Sequence, residues 1–397
     1  MQFLLQLFLG LVGVLGLLLS IWIVIPAPIF ALLPLSVATP EVSPWLIAVH
    51  LVNLLVGLAA GGYNNRWILG CSLVGLILSL LPLVQFPVVN QQAALAFQSL
   101  EMELPISDAQ KSAKHSLVPL RPAPFVWRDA FLGIPTQPTR YTPNVAVNVS
   151  DDVSLNLDLY RPAATGTYPA LVVIHGGAWR GGSPADHAAF SRYMAAQGYV
   201  VWAISYRFAP VHQFPTQLAD VQAALKFIQQ HAREYETDIT RLALLGRSAG
   251  AQLAMLAAYR LGSLPIRAVV NYYGPVDLAA GYADPPVPDP INTRAILRDF
   301  LGGTPAQIPD QYQAASPIHW VTRPLPPSLL VYGGKDHIVQ AKYGRALHQR
   351  LQAVGSRAVF LEVPWADHAF DAVFNGVSNQ FALYYTERFL AWALHSG

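Results

Sequence analysis

The chain has 397 residues, of which only 12% are charged and 53% hydrophobic, with a net charge of +2. That balance is too apolar for an ordinary soluble protein, so a membrane part is expected, and without a basic cluster nothing points to nucleic acid. The single cysteine, Cys71, excludes an intrachain disulfide and a cysteine-based zinc site.

The apolar part is at the start. Between Met1 and Leu100 the only side chains of the Asp, Glu, Lys and Arg types are Glu41 and Arg66. Residues 3–25 are apolar apart from Gln6 and Ser20, and as a helix they reach about 35 Å, enough to cross a bilayer core. A second run, 45–61, opens after Pro44 and closes in Gly61-Gly62. A third starts at Trp67 and continues towards Val84, with Pro82 and Pro87 marking where it bends or stops. Three transmembrane helices are therefore expected within residues 1–90. The first run lacks a basic n-region and is too long for a signal-peptide core, so it is read as a retained helix. Trp45 and Trp67 sit at segment ends, as interfacial aromatics do. Gly10, Gly13, Gly16 and Gly57-x-x-x-Gly61 offer close helix approach. His50 has no charged partner in these helices and is read as a neutral, hydrogen-bonded structural residue. Arg66, in the turn between the second and third helices, puts that turn on the cytoplasmic side and the rest of the chain outside. The 26–44 stretch is expected to be a loop. Residues 91–140 read as a polar linker, with 91–100 a short amphipathic helix on the membrane surface.

From Tyr141 the pattern changes. Residues 145–149 and 153–160 alternate as two half-buried strands around a Ser150-Asp151-Asp152 turn. A continuous apolar run at 170–174 reads as a strand buried on both faces, and 199–205, 242–245, 268–272, 328–332 and 358–363 read as further strands. Helical segments lie between most of them. One is expected to start at Ser183-Pro184, as an N-cap and first helical residue, and to stop at Gly198. Residues 141–397 thus form an α/β domain with a largely parallel sheet. The stretch 277–317 is too long and proline-rich for a simple crossover and is a candidate lid.

The reactive residues fall at strand ends, where such sheets bind ligands. Gly246-Arg247-Ser248-Ala249-Gly250 follows one apolar run and precedes a helical one, the setting of a G-x-S-x-G nucleophile elbow. A serine hydroxyl needs a base, and the base an orienting acid. Asp336, in Gly333-Gly334-Lys335-Asp336, and His368, in Asp367-His368, follow Ser248 in the order Ser, Asp, His. Asp277 and Glu362 are the rival orienters. Negative charge developing on a substrate oxygen needs prepositioned N–H groups. Ala249 can supply one, and Gly176 and Gly177, in His175-Gly176-Gly177-Ala178-Trp179, can bring others close. Trp179 and Tyr206 are candidate pocket residues. Asp367 is read as a local cap or pair, His337 as a loop residue and not a second base, His175 as a structural support of its loop, and Asp220 as an ion-pair partner of Arg207.

These motifs, with Ser205-Tyr206-Arg207-Phe208-Ala209-Pro210, resemble the α/β-hydrolase superfamily. The resemblance is strongest to esterases of the hormone-sensitive-lipase and feruloyl-esterase-like branches. It covers residues 141 to the C-terminus and implies an α/β-hydrolase fold, a Ser248–His368–Asp336 triad, no metal or organic cofactor, and a small-molecule ester as substrate. The lipase branch has a third glycine where this chain has Ala178, and the His-Gly-Gly-x-Trp form also occurs in kynurenine-formamidase-like enzymes. An amidase or formamidase, an acyltransferase, and a non-catalytic ligand-binding protein are the alternative readings. Anchoring beside a bilayer favours an amphiphilic or lipid ester.

Overall fold

A computed structural model describes residues 2–60, 66–98, 117–150, 153–260 and 264–395. The expected Gly61-Gly62 end of the second apolar run, the Asp151-Asp152 part of the first strand turn, and residues 99–116 of the expected linker lie outside them.

The N-terminal part contains α1 (Gln2–Ser20), α2 (Leu33–Glu41), α3 (Ser43–Ala59) and α4 (Arg66–Gln98). Among the described residues, two helices are long and apolar enough to cross a membrane, Phe3–Ile23 and Leu69–Gln98. They become three if the pair Phe30–Glu41 and Ser43–Ala59, bent by 76°, is one broken span. Several polar side chains within this bundle pair with one another. Ser20 Oγ lies 3.0 Å from His50 Nε2 and 3.0 Å from Ser79 Oγ, and Asn53 Nδ2 donates to Leu9 O and Ser72 Oγ. Gly16 and Gly75 make room for the imidazole: a Cβ there would stand 2.7 Å and 2.2 Å from His50 Cε1.

Four expectations for this region are corrected. Of the bend or stop expected at Pro82 and Pro87, the stop does not occur: α4 runs for 33 residues through both. Proline is tolerated inside such a helix when neighbouring packing compensates for the lost hydrogen bonds. The far half of α4 lies on the α/β domain instead of forming a separate surface helix at 91–100. Val89, Ala93 and Phe97 are buried in the domain core, Phe86 packs edge-on to Phe381, and Tyr385 Oη donates to Asn90 Oδ1 at 2.7 Å. The expected 26–44 loop holds α2, and Glu41 at its end is buried, accepting from the Ser378 backbone N–H at 2.7 Å. The latter part of the expected linker is likewise built into the domain. Arg121 is buried and pairs with Asp129 at 2.9 Å, beside α5 (Trp127–Leu132).

The domain itself is built on an eight-stranded sheet. Its strands are β1 (Thr139–Ser150), β2 (Val153–Pro162), β3 (Tyr168–Ile174), β4 (Val200–Ile204), β5 (Thr237–Arg247), β6 (Ile266–Tyr272), β7 (Ser328–Gly333) and β8 (Ala358–Val363). Their order is β1-β2-β4-β3-β5-β6-β7-β8. β2 pairs antiparallel with both β1 and β4, and every other pair is parallel. The central strands are buried along their whole apolar runs, as expected where helices cover both faces. Those helices are α6 (Ala188–Ala196), α7 (Thr216–Gln230), α8 (Ala249–Tyr259), α12 (Ala341–Ala353) and α13 (Val377–His395). α6 begins five residues after the expected Ser183 cap. Ser183 and Asp186 instead close a separate turn, with the Ser183 N–H donating to Asp186 Oδ2 and Ser183 Oγ accepting from the Ala185 N–H. Between β6 and β7 lie α9 (Leu278–Ala283), α10 (Thr293–Leu301) and α11 (Pro309–Ala315). They occupy the stretch read as a candidate lid.

Candidate active site

Ser248 stands between β5 and α8 with φ 51° and ψ −122°. A non-glycine residue there costs about 1–3 kcal/mol, strain that surrounding structure must hold. The glycines on either side explain how. A Cβ on Gly246 would come within 2.3 Å of Gly250 O, and one on Gly250 within 2.3 Å of Ile174 O and His175 O. Neither position has space for a side chain, because β3, β5 and α8 converge there.

The serine hydroxyl meets the loop after β8. Ser248 Oγ lies 2.9 Å from His368 Nε2, and His368 Nδ1 lies 2.8 Å from Asp336 Oδ2. Asp336 Oδ1 accepts from the Ile338 and Val339 N–H groups, each at 2.8 Å, so the carboxylate is fixed from both sides. Donation from Nδ1 to Asp336 leaves the Nε2 lone pair facing the hydroxyl. The rivals are engaged elsewhere: Asp277 caps α9 through Ala280 N, and Glu362 pairs with Arg345.

The loop after β3 approaches from the opposite side. A Cβ on Gly176 would stand 3.1 Å from Arg247 O and 3.2 Å from Ser248 Cβ, so this backbone lies against the elbow. Gly177, Ala178 and Trp179 follow with φ of 111°, 53° and 57°. Ala178 therefore takes a left-handed conformation that suits glycine, which gives physical sense to the glycine of related sequences. Ala249 is the first residue of α8, so its N–H has no acceptor within the helix. His175 supports the loop: its Nδ1 lies 2.7 Å from Gly176 O and its ring stacks on Tyr206. Burial pushes the His175 imidazole pKa down, which keeps it neutral. Tyr206 Oη donates to His175 O and Gly176 O. Tyr206 thus braces the loop from behind, and it is not among the residues lining the two cavities at Ser248.

Residues 157–351, just under half of the chain, match the BD-FAE family model. The chain is 35% identical over 254 residues to Esterase LipC of Mycobacterium tuberculosis, covering 58% of this chain and 61% of that protein. It is 30% identical over 233 residues to the probable carboxylic ester hydrolase LipM of the same organism, covering 54% and 53%. The chain thus spans between half and two thirds of these relatives' length. The hyperthermophilic esterase from the archaeon Pyrobaculum calidifontis superposes with a TM-score of 0.57 at 21% identity, over 76% of this chain and 93% of that one. The chain has the α/β-hydrolase fold.

Two cavities of the domain meet at Ser248 and Ala178. The inner one, about 60 Å³, is walled mainly by apolar side chains, including Trp179, Val276, Leu278, Ile296, Leu297 and Val339. Trp179 is held by stacking on Phe300 at 4.1 Å and by donating to Gln252 Oε1. The 277–317 stretch supplies much of this wall. The outer cavity, about 550 Å³, reaches His368, Gly176, Gly177 and His187, and its lining includes Phe30 and Leu33 from the N-terminal part.

Several residues here carried no sequence signal of a site. Arg247, the motif's variable position, is buried, donates from Nε to Asp371, and lies over the Phe190 ring. Asp371 also accepts from Tyr273 Oη, and His187 Nδ1 is 3.5 Å from it. Burial, aided by the Arg247 charge, pushes His187 down to about 4, while Asp371 pulls it upward. The imidazole lining the outer cavity is thus neutral at pH 7. An arginine inside an apolar strand signals a buried acid, but not which one. Asp367 forms a second cluster: its Oδ1 accepts from the His368 N–H at 2.7 Å and pairs with His337 at 3.0 Å. Asp220 holds Arg207 at 2.6 Å, a structural pair.

Proposed function

We propose that this protein is a membrane-anchored serine hydrolase that cleaves carboxylic esters. The observation that carries this reading is the hydrogen-bonded chain Ser248–His368–Asp336, at 2.9 Å and 2.8 Å. Ser248 Oγ attacks the ester carbonyl carbon while its proton passes to His368 Nε2. Asp336 keeps the imidazole in the tautomer that can accept it and stabilises the imidazolium formed. The oxyanion receives N–H groups from Ala249 and the Gly176–Gly177 loop. Collapse of the tetrahedral intermediate breaks the C–O bond, and the alcohol leaves with the proton from Nε2. Water, deprotonated by the same imidazole, then releases the acid and restores Ser248. The names of LipC and LipM favour an ester over an amide.

The N-terminal helices are the anchor in this reading, with a transmembrane count of three and the hydrolase domain on the extracytoplasmic side, as the position of Arg66 favours. Labelling with a fluorophosphonate probe tests the chemistry. The wild type should label and Ser248→Ala should not; a folded wild type that stays unlabelled refutes the reading. An anilide compared with its matching ester separates amidase from esterase.

A further inference from the structure

The outer cavity has a wall that the hydrolase domain does not supply. Phe30 and Leu33, from the segment joining α1 to α3, line it together with Ser248 and His368. This segment is fastened next to the His368 loop. Lys335 Nζ donates to Trp22 O at 2.6 Å and to Ser36 O at 3.1 Å, Ser36 Oγ donates to Asp367, and Glu41 accepts from the Ser378 N–H. These bonds fall on both sides of Phe30 and Leu33 in sequence, so the apolar side chains are held at the mouth.

The outer side of the same segment is apolar and uncovered. Val24, Ile25, Ile29 and Phe30 are each about half exposed or more, at 47%, 47%, 55% and 68%. They continue the exposed surface of Leu15, Leu18 and Leu19 on α1. Each such side chain, about half exposed, forgoes on the order of 1 kcal/mol of further burial, so a run of them is a surface suited to hydrocarbon. The cavity mouth therefore opens beside the surface that the anchor presents to lipid. Behind it, the inner cavity is nearly all apolar, which suits a hydrocarbon chain and offers little to a polar alcohol or acid.

We propose that Phe30 and Leu33 form a bilayer-facing lip of the catalytic pocket, and that the substrate is a long-chain ester taken from the bilayer. This rests on the membrane-anchored hydrolase reading above. The hydrocarbon chain passes over Phe30 and Leu33 without crossing water and comes to rest along the inner cavity, with its carbonyl at Ser248.

The test uses the full chain in phosphatidylcholine vesicles and two probes, p-nitrophenyl palmitate in the bilayer and p-nitrophenyl butyrate in the water. The measured quantity is the ratio of kcat/KM for palmitate to that for butyrate. Replacing both lip residues (Phe30→Ser with Leu33→Ser) is expected to lower this ratio by about tenfold or more, the scale of losing apolar contacts to a substrate chain. Phe30→Leu, which keeps the lip apolar, should restore most of it. Val211→Ser, an exposed position that lines neither cavity, is the control and should leave both rates unchanged. If the serine pair lowers the thermal midpoint, Leu33→Trp replaces it, narrowing the mouth without removing apolar surface and again lowering the ratio. A ratio that neither Leu33→Trp nor the serine pair moves, with butyrate still hydrolysed, overturns the lip and leaves the hydrolase reading standing. A wild type that hydrolyses neither ester and takes no fluorophosphonate overturns both.

Discussion

Ser36, on α2, donates its hydroxyl to Asp367, the residue before His368. Through this contact the N-terminal part touches the loop that carries the base. Asp367 is fully buried and also faces Lys335, at 3.9 Å, and His337. Burial acts to raise its carboxyl pKa, but His337, Lys335 and Ser36 together hold it below the ordinary aspartate value. Burial pushes Lys335 down to about 8, against the pull of Asp367 and Glu41.

Asp367→Asn leaves the Lys335 ammonium buried without its nearest carboxylate. Breaking a buried ion pair this way costs about 3–5 kcal/mol. Ser36→Ala removes only one hydrogen bond to a charged group, at about 1.5–3 kcal/mol. Thermal unfolding of the detergent-solubilised chain should rank wild type above Ser36→Ala and Ser36→Ala above Asp367→Asn. Equal midpoints for all three would show that the cluster holds nothing together.

The same cluster makes stability depend on pH. Burial acts to lower the His337 pKa, yet its bond to Asp367 and the charges of Asp367 and Asp336 leave it above the ordinary value of 6.5. A histidine raised in the folded state stabilises fully below its unfolded pKa and loses that contribution as pH rises through the folded one. His337→Gln lacks the contribution at every pH. The gap in thermal midpoint between wild type and variant should therefore be widest in mildly acidic buffer and close as pH rises past 6.5. Lys335 titrates in both proteins and cancels in the difference. A gap that widens with pH would reverse the assignment.

Much of the α/β domain was legible because its signals are local. The buried strands are mostly apolar runs, and Ser248, Asp336 and His368 each stand just beyond one. The N-terminal part was less legible for a physical reason. Pro82 and Pro87 predict a break only if nothing compensates for their missing N–H groups, and compensation comes from residues distant in sequence. Leu33–Glu41 carries two prolines and no amphipathic period of its own; it is a helix because it rests on the domain. Phe30 and Leu33 look like ordinary membrane residues until the fold brings them to Ser248. Ser183-Pro184 misled in the opposite way, with a strong local capping signal spent on an isolated turn.

Glycines at the elbow separate a steric need from mere composition. A Cβ on Gly250 meets two backbone carbonyls at 2.3 Å, and backbone cannot swing aside. Gly250→Ala should destabilise by about 3 kcal/mol and remove activity with it. Gly281, inside α9, has nothing within 4 Å of an added Cβ. Gly281→Ala should stabilise by about 0.5–1 kcal/mol through helix propensity. Urea or thermal unfolding of the two variants checks both signs.

Asp336→Asn tests the orienting role most sharply, because it changes hydrogen-bonding polarity with almost no change of shape. The Ile338 and Val339 N–H groups can still reach the amide oxygen, so the loop should hold and the thermal midpoint should change little. The amide nitrogen then faces His368 Nδ1 and donates to it, which moves the imidazole proton to Nε2. That nitrogen can no longer accept the Ser248 proton. Loss of the working tautomer in a serine triad costs about 10⁴-fold in kcat, and KM should move far less, since Asp336 touches no substrate. Butyrate ester kinetics above and below neutral pH measure this. A folded Asp336→Asn protein that retains more than about a tenth of wild-type kcat would assign the orienting role elsewhere.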